Sequence, residues 1–136
     1  MLELLLAKDM DAAAGLWADD GTAEFPFAMG TSPRRLTGRE EVRTYLGRLP
    51  ELMDVREIPA VTVHHTERPD TIVVEFTGEG HTVSSGEAYR LDYIVVITVK
   101  DGLIHRYRDY WNPLATASAA GTLPEFLDSL SPEATR

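Results

Sequence analysis

The stretch LDYIVVITVKDGLIHRYRDYW, residues 91–111, decides the fold. Apolar and polar residues alternate on both sides of Lys100-Asp101-Gly102, and a Gly-containing turn between two such runs is a strong hairpin signal. The pattern predicts strands over about 88–100 and 103–112. Two registers are open. A two-residue Asp-Gly loop pairs Lys100 with Leu103, whereas a three-residue Lys-Asp-Gly loop, with Gly102 left-handed, pairs Val99 with Leu103. The three-residue loop gives the cleaner faces. One carries Leu91, Tyr93, Val95, Ile97 and Val99 with Leu103, His105, Tyr107, Asp109 and Trp111. The other carries Ile94, Val96, Ile104 and Tyr110, and sets Asp92 near Arg108. In that register Tyr93 lies opposite Asp109, at cross-strand contact distance.

Working back from this hairpin, period-2 runs predict two more strands, over about 54–66 and 71–79. Arg68-Pro69-Asp70 forms a turn and residues 78–86 a polar hairpin loop. Before Met53 the period is helical. Thr37-Gly38-Arg39-Glu40 matches a capping box and opens a helix to about Leu49, with Val42, Tyr45, Leu46 and Leu49 as its apolar stripe. Pro50 closes it or begins a loose extra turn. Residues 28–37 read as a loop, and 22–27 as a short strand that Pro26 confines to an edge or an end. Residues 1–8 read as the last turns of a helix, and Asp9 caps a second helix over about 10–18 that includes Trp17. The tail has an Ala-rich run at 115–120 and a second capping-box match at Thr122-Leu123-Pro124-Glu125, opening a short helix.

Helices grouped first and strands grouped last predict a single α+β domain over residues 1–136, with helices on one face of an antiparallel sheet. The 136 residues contain no cysteine, which excludes disulfides, thiolate metal sites and cysteine nucleophiles. His64 and His65 are adjacent, so on a strand they face opposite ways, and no metal site is expected. The net charge of -9 opposes binding to nucleic acid or an anionic membrane surface. The apolar opening of the chain lacks a basic leader region and no run approaches membrane-spanning length, so a soluble, cytoplasmic protein is expected.

Several of these segments carry a family resemblance. Residues 18–25 (Ala-Asp-Asp-Gly-Thr-Ala-Glu-Phe), the Gly-Arg-Glu helix start at 38–40 and the closing Asp-Gly-Leu-Ile at 101–104 resemble the nuclear-transport-factor-2-like superfamily. It includes ketosteroid isomerase and the SnoaL-like polyketide cyclases. The resemblance covers about residues 1–116, leaving 117–136 as a tail. It implies a cone-shaped, curved antiparallel (mixed) sheet wrapped around the N-terminal helices. The closing stretch Tyr89–Pro113 is most similar to the phenazine-biosynthesis PhzA/PhzB proteins. The position of their acid–base glutamate carries Asp109, and that of a functional histidine carries Tyr45. The position of the ketosteroid isomerase base carries Phe25, so steroid isomerisation by that mechanism is not implied.

One acid on an otherwise apolar sheet face is the chemical signal. Burial raises a carboxyl pKa and a phenol donating to it lowers it, so such a site can set its own proton affinity. Asp109 is therefore the expected acid–base group, with Tyr45 and His105 as further candidates; a histidine's ordinary pKa suits that role. Trp17, Phe25, Phe27, Tyr93, Tyr107 and Trp111 are expected to line a hydrophobic cavity. The expected function is cofactor-independent isomerisation, cyclisation, dehydration or condensation of a small apolar or aromatic carbonyl compound, in secondary metabolism. The alternative is a non-catalytic ligand-binding or dimerisation domain of the same fold. A homodimer through the outer sheet face is expected in either case, because Ile94, Val96, Ile104 and Tyr110 would otherwise be exposed.

Overall fold

A computed structural model describes residues 1–130; the end of the expected tail, 131–136, lies outside the described residues. The elements run α1 (Leu2–Leu6), α2 (Met10–Ala14), β1 (Trp17–Glu24), β2 (Arg35–Thr37), α3 (Arg39–Leu52), β3 (Met53–His65), β4 (Thr71–Thr82), β5 (Ala88–Lys100), β6 (Leu103–Tyr110), α4 (Pro113–Ala119) and α5 (Leu123–Ser129). They build one six-stranded sheet in the order β2-β1-β6-β5-β4-β3. The pairing of β1 with β6 is parallel and the rest are antiparallel, so the sheet is mixed. The α+β architecture is the expected one.

The β5–β6 hairpin departs from the expected register in an instructive way. Asp101 and Gly102 both have positive φ, 53° and 78°, which is a two-residue turn with Lys100 opposite Leu103 and Val99 opposite Ile104. A β-bulge follows. Ile104 and Arg106 oppose the consecutive residues Val99 and Thr98, and His105 is the extra residue. Beyond it Ile97 pairs with Tyr107 and Val95 with Asp109. The turn is thus shorter than expected, and the bulge restores the alternation that the longer loop would have given. Tyr107 and Asp109 share a face with Val95 and Ile97 as expected, but Ile104 replaces Leu103 and His105 on it. Ile104 is buried, so it does not belong to the outer face. Tyr93 is two residue pairs removed from Asp109, which lies opposite Val95, and Asp92 bonds Thr77 on β4 (2.7 Å) rather than pairing with Arg108.

The other correction of consequence is at the N-terminus. The helix expected over 10–18 stops at Ala14, and Asp19-Asp20-Gly21, which reads as a helix stop, lies inside β1. Its register against β6 shifts between Trp17 and Thr22. A Cβ on Gly21 would sit 2.5 Å from the Ile104 carbonyl oxygen, so only glycine permits this approach. Asp9 caps α2 as expected, its Oδ1 accepting from the Ala12 amide at 3.2 Å. The capping box expected at Thr37 and Glu40 does not form: the helix starts one residue later, Gly38 is the N-cap and has no side chain to bond, and Glu41 instead accepts from the Thr37 amide at 2.9 Å. Arg39 then fixes α3 to β1, donating to the Trp17 carbonyl oxygen (2.8 Å) and pairing with Asp19 (2.8 Å). That anchor sets the helix whose stripe, Val42, Tyr45, Leu46 and Leu49, lies against the core. The short strand β2 and the helix α4 fall in regions that read as loop and tail. Asn112 caps α4 through its side chain, accepting from the Leu114 and Ala115 amides.

Candidate active site

The concave face of the sheet, closed over by α1, α2 and α3, encloses a mostly apolar cavity of about 140 Å³. Period-2 alternation delivers Tyr93 from β5 and Tyr107 and Asp109 from β6, with Trp111 just beyond β6. The stripe of α3 delivers Tyr45, and β1 delivers Trp17 at its start. Phe25 follows β1, and all seven side chains line the cavity. Aromatic contacts hold the wall together. The Phe25 ring lies 5.1 Å from Tyr45 and 5.9 Å from Trp111, and Trp17 lies 5.1 Å from Tyr107. Tyr93 stacks on Phe76 at 4.8 Å. These are favourable aromatic spacings.

Asp109 is the acid in this wall. Its Oδ1 is fully buried and has no hydrogen-bond partner among the described residues. Burial disfavours the charged form and raises its pKa from 3.8 to about 7. Burial, and then the charge of Asp109, push the Tyr45 phenol up to about 12 and raise Tyr107 and Tyr93 well above the usual phenol range. The three phenols therefore stay protonated as donors around a carboxyl that exchanges its proton near neutral pH. The neighbouring arginines do not neutralise it: Arg106 pairs with Glu24 at 2.9 Å.

Two expected site residues lie elsewhere. His105 does not line the cavity, because it is the extra residue of the bulge and the alternation that would have turned it inward is broken there. Phe27 is 55% exposed on the other side of the sheet, where Pro26 has already ended the strand. It packs edge-on against Tyr110, 5.3 Å between centroids, in a shallow groove with Ile94. Conversely, Tyr89 and Thr116 line the cavity and were not singled out in the sequence. Tyr89 shares the odd-numbered face of β5 with Tyr93, a signal that was available. Thr116 depends on α4, a helix that the Ala-rich sequence pattern does not predict. No three His, Cys, Asp or Glu side chains among the described residues stand close enough to hold a metal ion. No described helix is long and apolar enough to cross a membrane.

The fold and this constellation define the class, and comparison with known proteins agrees. The SnoaL-like domain family matches residues 1–107, and the chain belongs to that family. YesE, an uncharacterized protein of Bacillus subtilis, is 38% identical over 117 residues, 86% of this chain and 80% of its own. An uncharacterized PhzA/B-like protein of Pseudomonas aeruginosa is 37% identical, over 88% of this chain and 84% of its own. The crystal structure of a "Putative Isomerase from Bacillus subtilis" superposes with a TM-score of 0.83 at 38% identity, covering 88% of this chain and 86% of that one. A phenazine biosynthesis-related protein of Pseudomonas aeruginosa superposes at 0.70 with 20% identity, over 83% and 75% of the two chains, a likeness of fold.

Proposed function

We propose that this protein is a cofactor-independent acid–base enzyme of the isomerase or cyclase type, in which Asp109 moves a proton beside a carbonyl or imine of a small apolar or aromatic substrate. The observation that carries this reading is the buried, unpartnered carboxyl of Asp109 inside an apolar cavity, poised near neutral pH. A general acid–base group works best when its pKa lies near the operating pH. Protonated phenols beside it stabilise the oxyanion that develops when a proton leaves the carbon next to a carbonyl. The same geometry weighs against a purely binding role, for which an arginine-paired Asp109 outside the cavity would have spoken. The cavity has the size of one that holds a benzene-sized guest, which favours single-ring compounds of secondary metabolism over larger ones. Acting on such compounds in the cytoplasm, the protein needs no nucleic-acid or membrane partner.

The test is exchange of α-protons for deuterium in a panel of small cyclic and aromatic ketones, followed by proton NMR. The protein is expected to accelerate exchange, with a rate that changes around pH 7. Compounds that bind without exchanging would overturn the acid–base reading in favour of a ligand-binding domain. Tyr45→Phe and Tyr93→Phe are each expected to lower kcat by about 10²–10³, the cost of losing one preorganised oxyanion donor.

A second copy of the chain covers the outer face in this reading. Ile94 is 45% exposed there, beside Tyr110 and Phe27. Light scattering after size exclusion is expected to give twice the 15.1 kDa chain mass, and Ile94→Glu to halve it.

A further inference from the structure

Three buried side-chain oxygens have no hydrogen-bond partner among the described residues, and all three belong to residues lining the same cavity: Asp109 Oδ1, the Tyr89 hydroxyl and Thr116 Oγ1. Only the first is used by the acid–base chemistry. A buried polar group without a partner is unfavourable, so native structures keep few of them, and each one calls for an explanation. Here two arise from separate elements, one from β5 and one from α4, and open onto one cavity.

Their surroundings specify what they bind. Both are hydroxyls, able to donate. Burial and the negative charge of Asp54 push the Tyr89 phenol up to about 12, so it remains a neutral donor. Lys8, the one lysine in the lining, is already committed, pairing with Asp54 at 2.9 Å and donating to the Val55 carbonyl oxygen at 3.1 Å. Arg56 holds the other oxygen of Asp54 at 2.6 Å. The two hydroxyls have no acceptor of their own, so the demand at this end is for an oxygen acceptor. Tyr93, four residues further along the same strand and so on the same face as Tyr89, lines the cavity with it. The backbone also makes room for Tyr89: a Cβ on Gly80 would lie 2.9 Å from its hydroxyl and 2.1 Å from the Asp54 carbonyl oxygen.

We infer that Tyr89 and Thr116 form a second hydrogen-bonding station that selects substrates carrying an oxygen acceptor, such as a hydroxyl or a carbonyl, remote from the group that Asp109 protonates. The inference rests on the reading of the cavity as a substrate site and adds the specificity-determining residues.

A matched pair of probes tests it: acetophenone, with one carbonyl, and 4-hydroxyacetophenone, which adds an oxygen across the ring. Binding is read from the fluorescence of Trp17 and Trp111 in the cavity wall. The unaltered protein is expected to bind the hydroxylated ketone about tenfold more tightly, the scale of one or two net hydrogen bonds. The double variant Tyr89→Phe, Thr116→Val is expected to lose that preference and melt no lower than the parent. A variant that keeps the preference, or a parent that lacks it, overturns the station while leaving the role of Asp109 standing. A variant that melts far lower makes the two hydroxyls structural and also overturns it. Failure of both ketones to bind the parent overturns the station together with the reading of the cavity beneath it.

Discussion

Asp109→Asn is expected to make the protein more stable and far less active. The folded-state pKa of Asp109 is about 7 against 3.8 for the free group. The folded protein therefore holds this proton more tightly than the unfolded chain, and the unfolded chain binds fewer protons throughout that window. Stability falls as pH rises from about 4 to about 7, and above that the full penalty is present. About three pH units at 1.36 kcal/mol each amount to about 4 kcal/mol. Asparagine keeps the shape without the charge, so at pH 8 it recovers up to this amount, a rise in Tm of up to about 14 °C. At pH 4 the parent is itself protonated and the two proteins should melt together. Activity should fall by about 10²–10⁴, the usual contribution of a positioned acid–base group. Thermal melts of both proteins at pH 4 and pH 8, with the α-proton exchange rate, read all of this. A variant destabilised at both pH values would mean that Asp109 is held by native bonds absent from this structure.

Trp17→Ala is expected to cost about 3–5 kcal/mol, as large-to-small changes of buried aromatic residues do. Trp17 is 2% exposed and packs 5.1 Å from the ring of Tyr107. Its Nε1 donates to the Thr22 carbonyl oxygen at 3.2 Å, bracing the irregular part of β1 from within. Truncation removes the packing, the hydrogen bond and one wall of the cavity together. Urea unfolding reads the loss. A change below about 1 kcal/mol would mean that the site collapses onto the gap far more completely than a braced strand allows.

Residues with strong periodicity were legible in the sequence. The stripe of α3 and the inward set Tyr93, Val95 and Ile97 follow from spacing alone, and with them the concave face and its one acid. The three-residue loop predicts the observed parity of β6 from Tyr107 onward, but the structure reaches that parity by another route. A two-residue turn plus a bulge and a three-residue turn give the same alternation, and nothing in Lys100-Asp101-Gly102 distinguishes them. What separates them is tertiary: Ile104 is buried in the core, and only a bulge lets it and Tyr107 face inward together. His105 was misplaced by that same ambiguity. Trp17 shows a different limit. Met10, Ala13, Ala14 and Trp17 fit a helical stripe, yet Trp17 begins a strand, because the Ile104 amide donates to the Leu16 carbonyl oxygen at 2.8 Å and Gly21 lets β1 close onto β6. A parallel pairing between residues so far apart leaves no local signature. Thr116 was out of reach for want of α4, whose Ala-rich run carries no amphipathic pattern.

The proton affinity of Asp109 tests the account most directly. Titrating its side-chain carboxyl by carbon-13 NMR, assigned by the spectrum of Asp109→Asn, should give a midpoint near 7, well separated from the exposed aspartates. A midpoint in the ordinary range near 3.8 would mean that the carboxyl is solvated or paired, and would contradict the role of Asp109 as the acid–base group of this cavity.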